Sequence, residues 1–143
     1  IKVNSFDYLV GGLPKNPLPP YNYKAPFSPI DVIEEYTRPA RMMINSKIVT
    51  KPALSEIEEL DIIDAGKLEA FNTDGLRSLL ITMDHIPNMK EKTLRYPGHA
   101  ALIQSMIDKN LKYEAPMQPN KRLGKFPHFY DDLKTNIVLK ILV

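Results

Sequence analysis

The stretch that decides the fold is MKEKTLRYPGHAALIQSMIDK, residues 89–109. Up to Tyr96 it alternates as a strand does, Pro97-Gly98 breaks it, and from His99 a helical spacing takes over, with Leu102, Ile103, Met106 and Ile107 inward. Period two places Met89, Glu91, Thr93 and Arg95 on one face of the strand and Lys90, Lys92, Leu94 and Tyr96 on the other. Thr93 and Arg95 are then same-face neighbours roughly 7 Å apart, close enough to grip one ligand carboxylate. Arginine suits that task because its planar fork binds carboxylates in a bidentate way. A cross-strand ion pair, with Glu69 as partner, is the plain alternative.

Working outward, KLEAF (Lys67 to Phe71) predicts a second strand, and FNTDGLR (residues 71–77) falls where that strand stops. Asp74 is a good N-cap for a helix whose stripe is Leu76, Leu79, Leu80 and Met83. Asn72, Thr73 and the helix-start amides can also meet an anion there. Further upstream, Phe6, Tyr8 and Val10 alternate through a strand over Val3 to Val10, which runs into a GGLP loop at residues 11–14. Six of the thirteen prolines lie between Pro14 and Pro29, which rules out a regular helix or central strand. Leu18, Tyr21, Tyr23 and Phe27 predict that this loop is ordered and packed.

Ser28, Pro29 and Asp31 make a helix start, with Ile30, Ile33 and Tyr36/Thr37 as its apolar stripe and Pro39 as its end. ARMMI and KIVTK flank Asn45-Ser46 as a hairpin. The 110s and 120s are basic and proline-broken, and Ile137 to Val143 closes the sequence as a strand. Strands and helices mixed without a strict βαβ repeat predict an α+β domain spanning residues 1–143, its sheet mixed but mostly antiparallel, with helices on one face.

Composition narrows the function. A chain of 143 residues with net charge +2 has no large basic field, so nucleic acid is not the expected partner. Acids dominate from Glu56 to Asp74 and bases from Lys109 to Lys140, without a block that reads as more than solvated surface. The chain has no cysteine, which excludes disulfides, zinc thiolates and thiol nucleophiles and fits a cytoplasmic protein. No apolar run is long enough to span a bilayer, so no membrane role is expected. His85, His99 and His128 lack metal-ligand spacing. Neither G-x-G-x-x-G nor a P-loop occurs, so no standard nucleotide-binding loop is carried here. An opening on Ile1 and an apolar close at Val143 predict a piece of a longer chain.

Taken in order, GGLP, FSPIDVIEEY, KLEAFNTDGLRSLL and EKTLRYPGHAALI resemble the saccharopine dehydrogenase family over roughly residues 3 to 108. The long words AFNTDGLR and KTLRYPGH carry most of the likeness, which is strongest to the branch that includes L-lysine 6-dehydrogenases. The resemblance implies a middle domain, of the kind seen as the second domain of glyceraldehyde-3-phosphate dehydrogenases, that lines the substrate pocket and forms a homodimer contact. It implies NAD or NADP as cofactor of the full-length protein, held by a separate Rossmann domain rather than by this chain. The implied substrate is a small amino acid of the lysine or saccharopine type, oxidised at a C–N bond, and the isolated chain is expected to be inactive.

The residues implied to bind substrate are Gly12 and Leu13 in the GGLP word, Asn72, Thr73 and Asp74, Arg77, and Thr93 with Arg95. Fungal saccharopine-binding enzymes of the family carry arginine where this chain has Thr73, and Arg77 lies one helical turn further on. The family's proton-transfer groups belong largely to the nucleotide-binding half, and the sequence assigns no catalytic base. Two alternatives stand beside this reading: a non-catalytic dimerisation and ligand-binding module, and a polyamine enzyme resembling carboxynorspermidine dehydrogenase.

Overall fold

The computed structural model describes residues 2–25, 28–109 and 135–142. Strand β1 (Ser5–Pro14) is followed by helix α1 (Pro29–Thr37) and the hairpin β2 (Ala40–Ile44) and β3 (Lys47–Lys51). Then come β4 (Glu58–Ile62), β5 (Gly66–Asn72), a single turn of helix α2 (Leu79–Thr82), β6 (Asn88–Arg95), α3 (His99–Asp108) and β7 (Thr135–Leu142). The Phe27 side chain and the 110s and 120s of the sequence reading lie outside the described residues.

The seven strands form one sheet in which β6 is the hub. On one side β1 runs parallel to it, with Tyr8 opposite Glu91 and Val10 opposite Thr93. On its other side β2 meets it at Met89 and β5 pairs with it from Lys92 to Arg95, both antiparallel. β7 closes the far side of β1, and β3 and β4 extend β2 and β5, again antiparallel. One parallel pairing in an otherwise antiparallel sheet is the expected mixed α+β arrangement. The hairpin turn is of the expected kind too. Asn45 and Ser46 both take positive φ, 49° and 62°, as a turn matched to strand twist requires.

Side-chain alternation gives the sheet two apolar faces. Phe71 on β5 packs with Val32 and Tyr36 of α1 and Ala100 of α3. Met89 on β6 packs with Leu76 and Leu80 around α2 and with Met42 and Met43 of β2. Phe71 and Thr93 are register partners, so these clusters share the face that carries Met89, Glu91, Thr93 and Arg95, and all three helices lie on it. The opposite face buries Leu9, Leu13, Leu68, Ala70 and Leu94.

Five local expectations are corrected. GGLP is not a loop but the end of β1, where Gly11 is needed for close packing. A Cβ there would stand 2.8 Å from both the Cβ and the carbonyl oxygen of Leu94. In the proline-rich segment Tyr23 packs against the core, whereas Leu18 and Tyr21 are exposed. In α1 the buried stripe is Val32 and Tyr36, four residues apart, while Ile30 and Ile33 are exposed. Ile107 of α3 is also exposed.

The helix expected from Asp74 begins only at Leu79. Its would-be first turn is drawn off by tertiary partners. Asp74 binds Arg41 rather than capping, the Gly75 amide donates to Glu91, and Arg77 takes a left-handed φ of 47°. The apolar positions Leu76 and Leu80 are buried nonetheless, because packing of the stripe does not require the full helix.

Candidate functional site

The face shared by β1 and β6 is not sealed between its two apolar clusters. There it forms a cavity of about 290 Å³. Its floor is Tyr8, Val10 and Gly12 from β1 beside Glu91, Thr93 and Arg95 from β6. One wall is Asp31, Glu35 and Arg38 on α1, the other is Thr73 to Gly75 with Arg77, and Tyr23 from the proline-rich segment completes the lining.

Arg95 is 3% exposed and held from several sides. Its Nε donates to the Tyr36 hydroxyl at 2.9 Å, one terminal nitrogen donates to the Leu94 carbonyl, and the other stands 3.3 Å from Glu35 Oε1. Its guanidinium also lies 4.2 Å from the centroid of the Tyr23 ring, a cation–π contact. Behind it, His99 sits between Tyr36 and the Tyr21 carbonyl. A carbonyl only accepts, so His99 Nδ1 carries the hydrogen and Nε2 accepts from the Tyr36 hydroxyl. The result is a directed chain, Arg95 to Tyr36 to His99 to Tyr21. Burial, with the Arg95 charge nearby, pushes the His99 pKa down to about 4, so the ring is neutral.

The carboxylates divide by environment. Burial alone would raise Asp74, but two hydrogen bonds from the Arg41 guanidinium, at 2.9 and 2.8 Å, and one from its amide hold it below the usual range. Glu91 goes the other way. Burial foremost, then the charge of Glu35, pushes it up to about 7. The Thr73 hydroxyl at 2.6 Å and the Gly75 amide at 3.1 Å oppose that rise. Gly75 is required for this approach, since a Cβ would stand 2.5 Å from the Glu91 carboxyl carbon. Tyr8, which donates to the Gly75 carbonyl at 2.7 Å, is pushed up to about 12 by burial and by Glu91.

Of the residues expected at the site, the cavity gathers Gly12, Thr73, Asp74, Arg77, Thr93 and Arg95. Leu13 and Asn72 lie elsewhere. Leu13 is buried on the opposite face, and Asn72 donates to Ser55 Oγ and Glu56 Oε2. Glu69 is opposite Arg95 in register but does not pair with it. Its carboxylate accepts the Gly98 and Ala100 amides at the start of α3, and Glu35 takes the arginine.

Sequence pattern missed Glu35, Tyr23 and Tyr8 as lining residues, and Glu91 as an ionisable one. The alternation that singled out Thr93 and Arg95 already put Glu91 and Tyr8 on the right faces. Among the described residues no group of histidine, aspartate and glutamate side chains is arranged to hold a metal ion. No helix there is long and apolar enough to cross a membrane.

A family model described as the saccharopine dehydrogenase C-terminal domain matches residues 1–138. Among solved structures, an apo histidine-tagged saccharopine dehydrogenase (L-Glu forming) from Saccharomyces cerevisiae superposes with a TM-score of 0.59 at 22% identity. The match covers 77% of this chain and 26% of that one. At that identity the likeness is one of fold, and the chain spans about a quarter of that enzyme's length.

Proposed function

The chain belongs to the saccharopine dehydrogenase C-terminal domain family, and from that premise we propose that it is the substrate-binding domain of an NAD(P)-dependent oxidoreductase acting on a C–N bond of an amino acid. The observation that carries this reading is the cavity, which sets Arg77 on one wall across from Asp31 and Glu35 on α1, with Arg95 and Glu91 in its floor. Such a split suits a zwitterion. The substrate carboxylate meets Arg77, which is exposed at the rim and has no ion-pair partner among the described residues, with Arg95 behind it. The substrate amine faces the acids. Thr73 in place of a second arginine, beside those acids, favours a lysine-like substrate with a distal amine over one with additional carboxylates.

The cofactor is assigned to another domain of the full-length protein. The glycine pair Gly11-Gly12 lies within β1, with Gly11 packed on Leu94 rather than opening a helix N-terminus. Bound there, the nicotinamide supplies hydride transfer, while this chain binds and orients the amino acid. We also propose a homodimer, the commonest symmetric assembly.

The test is Arg77→Ala, measured by calorimetry and by steady-state kinetics of the full-length enzyme with lysine, saccharopine and related amino acids. An exposed side chain leaves folding intact, and loss of a charge-assisted contact weakens binding roughly 10- to 100-fold. Unchanged KM and Kd for every amino acid tried would remove Arg77 from the site.

A further inference from the structure

Two carboxyl groups of the cavity are joined by two hydroxyls in a line. Glu91 Oε2 lies 2.6 Å from Thr73 Oγ1, Thr73 Oγ1 lies 2.7 Å from Thr93 Oγ1, and Thr93 Oγ1 lies 2.7 Å from Glu35 Oε1. Each contact is within the normal range for an O–H···O hydrogen bond and needs one hydrogen. The two threonines supply two hydrogens. Three contacts therefore require a third proton, and the ends of the line, Glu91 and Glu35, are where it can reside.

We propose that Glu91, Thr73, Thr93 and Glu35 form a proton wire that holds one acidic proton in common and carries it between the buried floor of the cavity and its solvent side. In one arrangement Glu91 is the acid, each hydroxyl donates to the next group, and Glu35 is the carboxylate. In the other, every hydrogen has moved one oxygen along. Glu35 is then the acid and Glu91 the carboxylate, with no net change in charge. The first arrangement is favoured because the Arg95 guanidinium, 3.3 Å away, stabilises negative charge on Glu35.

The two ends differ in access. Glu91 is 2% exposed, while the Glu35 side chain is 21% exposed and opens the wire to solvent. The other titratable and charged groups lining the cavity are Tyr8 from β1, Asp74 and Arg77 from the turn after β5, Arg95 from the same strand as Glu91, Asp31 and Arg38 from α1, and Tyr23. Asp74 is already neutralised by Arg41, and Tyr8 donates to the Gly75 carbonyl. An amine held against the acidic wall would exchange its proton through this line without bulk water. That last role alone rests on the proposed amino-acid substrate; the hydrogen count does not.

The test needs no ligand, so its failure is separate from failure of the substrate reading. The protein is labelled with ¹³C at the glutamate carboxyls and titrated by NMR from about pH 4 to about pH 9. Glu91 and Glu35 are assigned with the variants Glu91→Gln and Glu35→Gln. The Glu91 carbon should titrate in one step near pH 7, and the Glu35 carbon should show a smaller displacement in the same step, in proportion to the minor arrangement in which it holds the proton. In Glu35→Gln the amide supplies the missing hydrogen, and the Glu91 midpoint should fall by at least about one unit. Thr73→Val should abolish the joint movement, and Thr73→Ser should restore it. Independent titration of the two carboxyls in the ordinary range, or joint movement that survives in Thr73→Val, would overturn the proposal. Should the valine variant fail to fold, the Glu35→Gln shift decides alone.

Discussion

Replacing Glu91 by glutamine should make the protein progressively more stable than wild type as the pH rises. The folded carboxyl titrates at about 7 against 4.5 for an ordinary glutamate. Between those two values the native chain keeps a proton that the unfolded chain has released, so wild-type stability falls with rising pH through that window. A displacement of about two and a half units, at about 1.4 kcal/mol per unit, corresponds to about 3 kcal/mol. Glutamine mimics the neutral acid and removes this loss. Below the ordinary glutamate range the acid itself is neutral in both states, so the variant gains nothing there.

The wild-type curve alone would hide this effect. His99 contributes with the opposite sign, because its pKa falls from 6.5 to about 4 on burial. The unfolded chain then holds the extra proton, and stability rises with pH across nearly the same window, again by about 3 kcal/mol. The two slopes largely cancel between about pH 4.5 and about pH 6.5. The informative quantity is therefore the difference in unfolding free energy between Glu91→Gln and wild type, from urea melts at successive pH values. It should grow by about 3 kcal/mol from about pH 4.5 to about pH 8. A difference that stays constant across that range would show that Glu91 ionises as an ordinary carboxylate, and the reasoning from its burial would fail. Asp74 does not interfere, because its depressed pKa places its contribution below the ordinary aspartate range.

Two further outcomes follow from packing and assembly. Gly11→Ala should cost about 1–3 kcal/mol in chemical denaturation, because the new Cβ meets backbone as well as side chain of Leu94; an unchanged midpoint would show that β1 and β6 part readily. Light scattering should report a mass of twice the chain for a homodimer, and a strict monomer at high concentration would remove dimerisation from the reading.

Most of the sheet was legible from alternation and turn residues, but β4 (Glu58–Ile62), largely acidic and exposed, was not. Alternation through residues 89–96 assigned every side chain of β6 to its observed face, and the Asn45-Ser46 turn announced its hairpin. The helices were less legible. In the nine residues of α1 the expected stripe of Ile30, Ile33 and Tyr36/Thr37 was right at Tyr36, but Val32 rather than Ile30 and Ile33 is buried with it, and both sets satisfy helical spacing. Only the position of Phe71 and Ala100 decides between them. Glu35, next to Tyr36, then lines the cavity and reaches Thr93, which the expected stripe did not point to.

The site itself depends on partners that no local pattern contains. Thr93 and Arg95 stand together as alternation requires, yet neither is a free ligand hook. Thr93 reaches Glu35 across 58 residues of sequence, and Arg95 reaches Tyr36 across 59. Those commitments change what each residue can do. An arginine already bonded to a tyrosine, a carbonyl and a carboxylate acts as a fixed positive floor, and in the proposed amino-acid reading direct capture of the substrate carboxylate falls to the exposed Arg77. Thr93 is likewise bonded to Thr73 and Glu35, contacts that in the proposed wire make it a relay between two acids. The strand pattern located the cavity, whereas the chemistry proposed for it rests on counting hydrogens among groups brought together by the β1–β6 pairing and by the turn of α1.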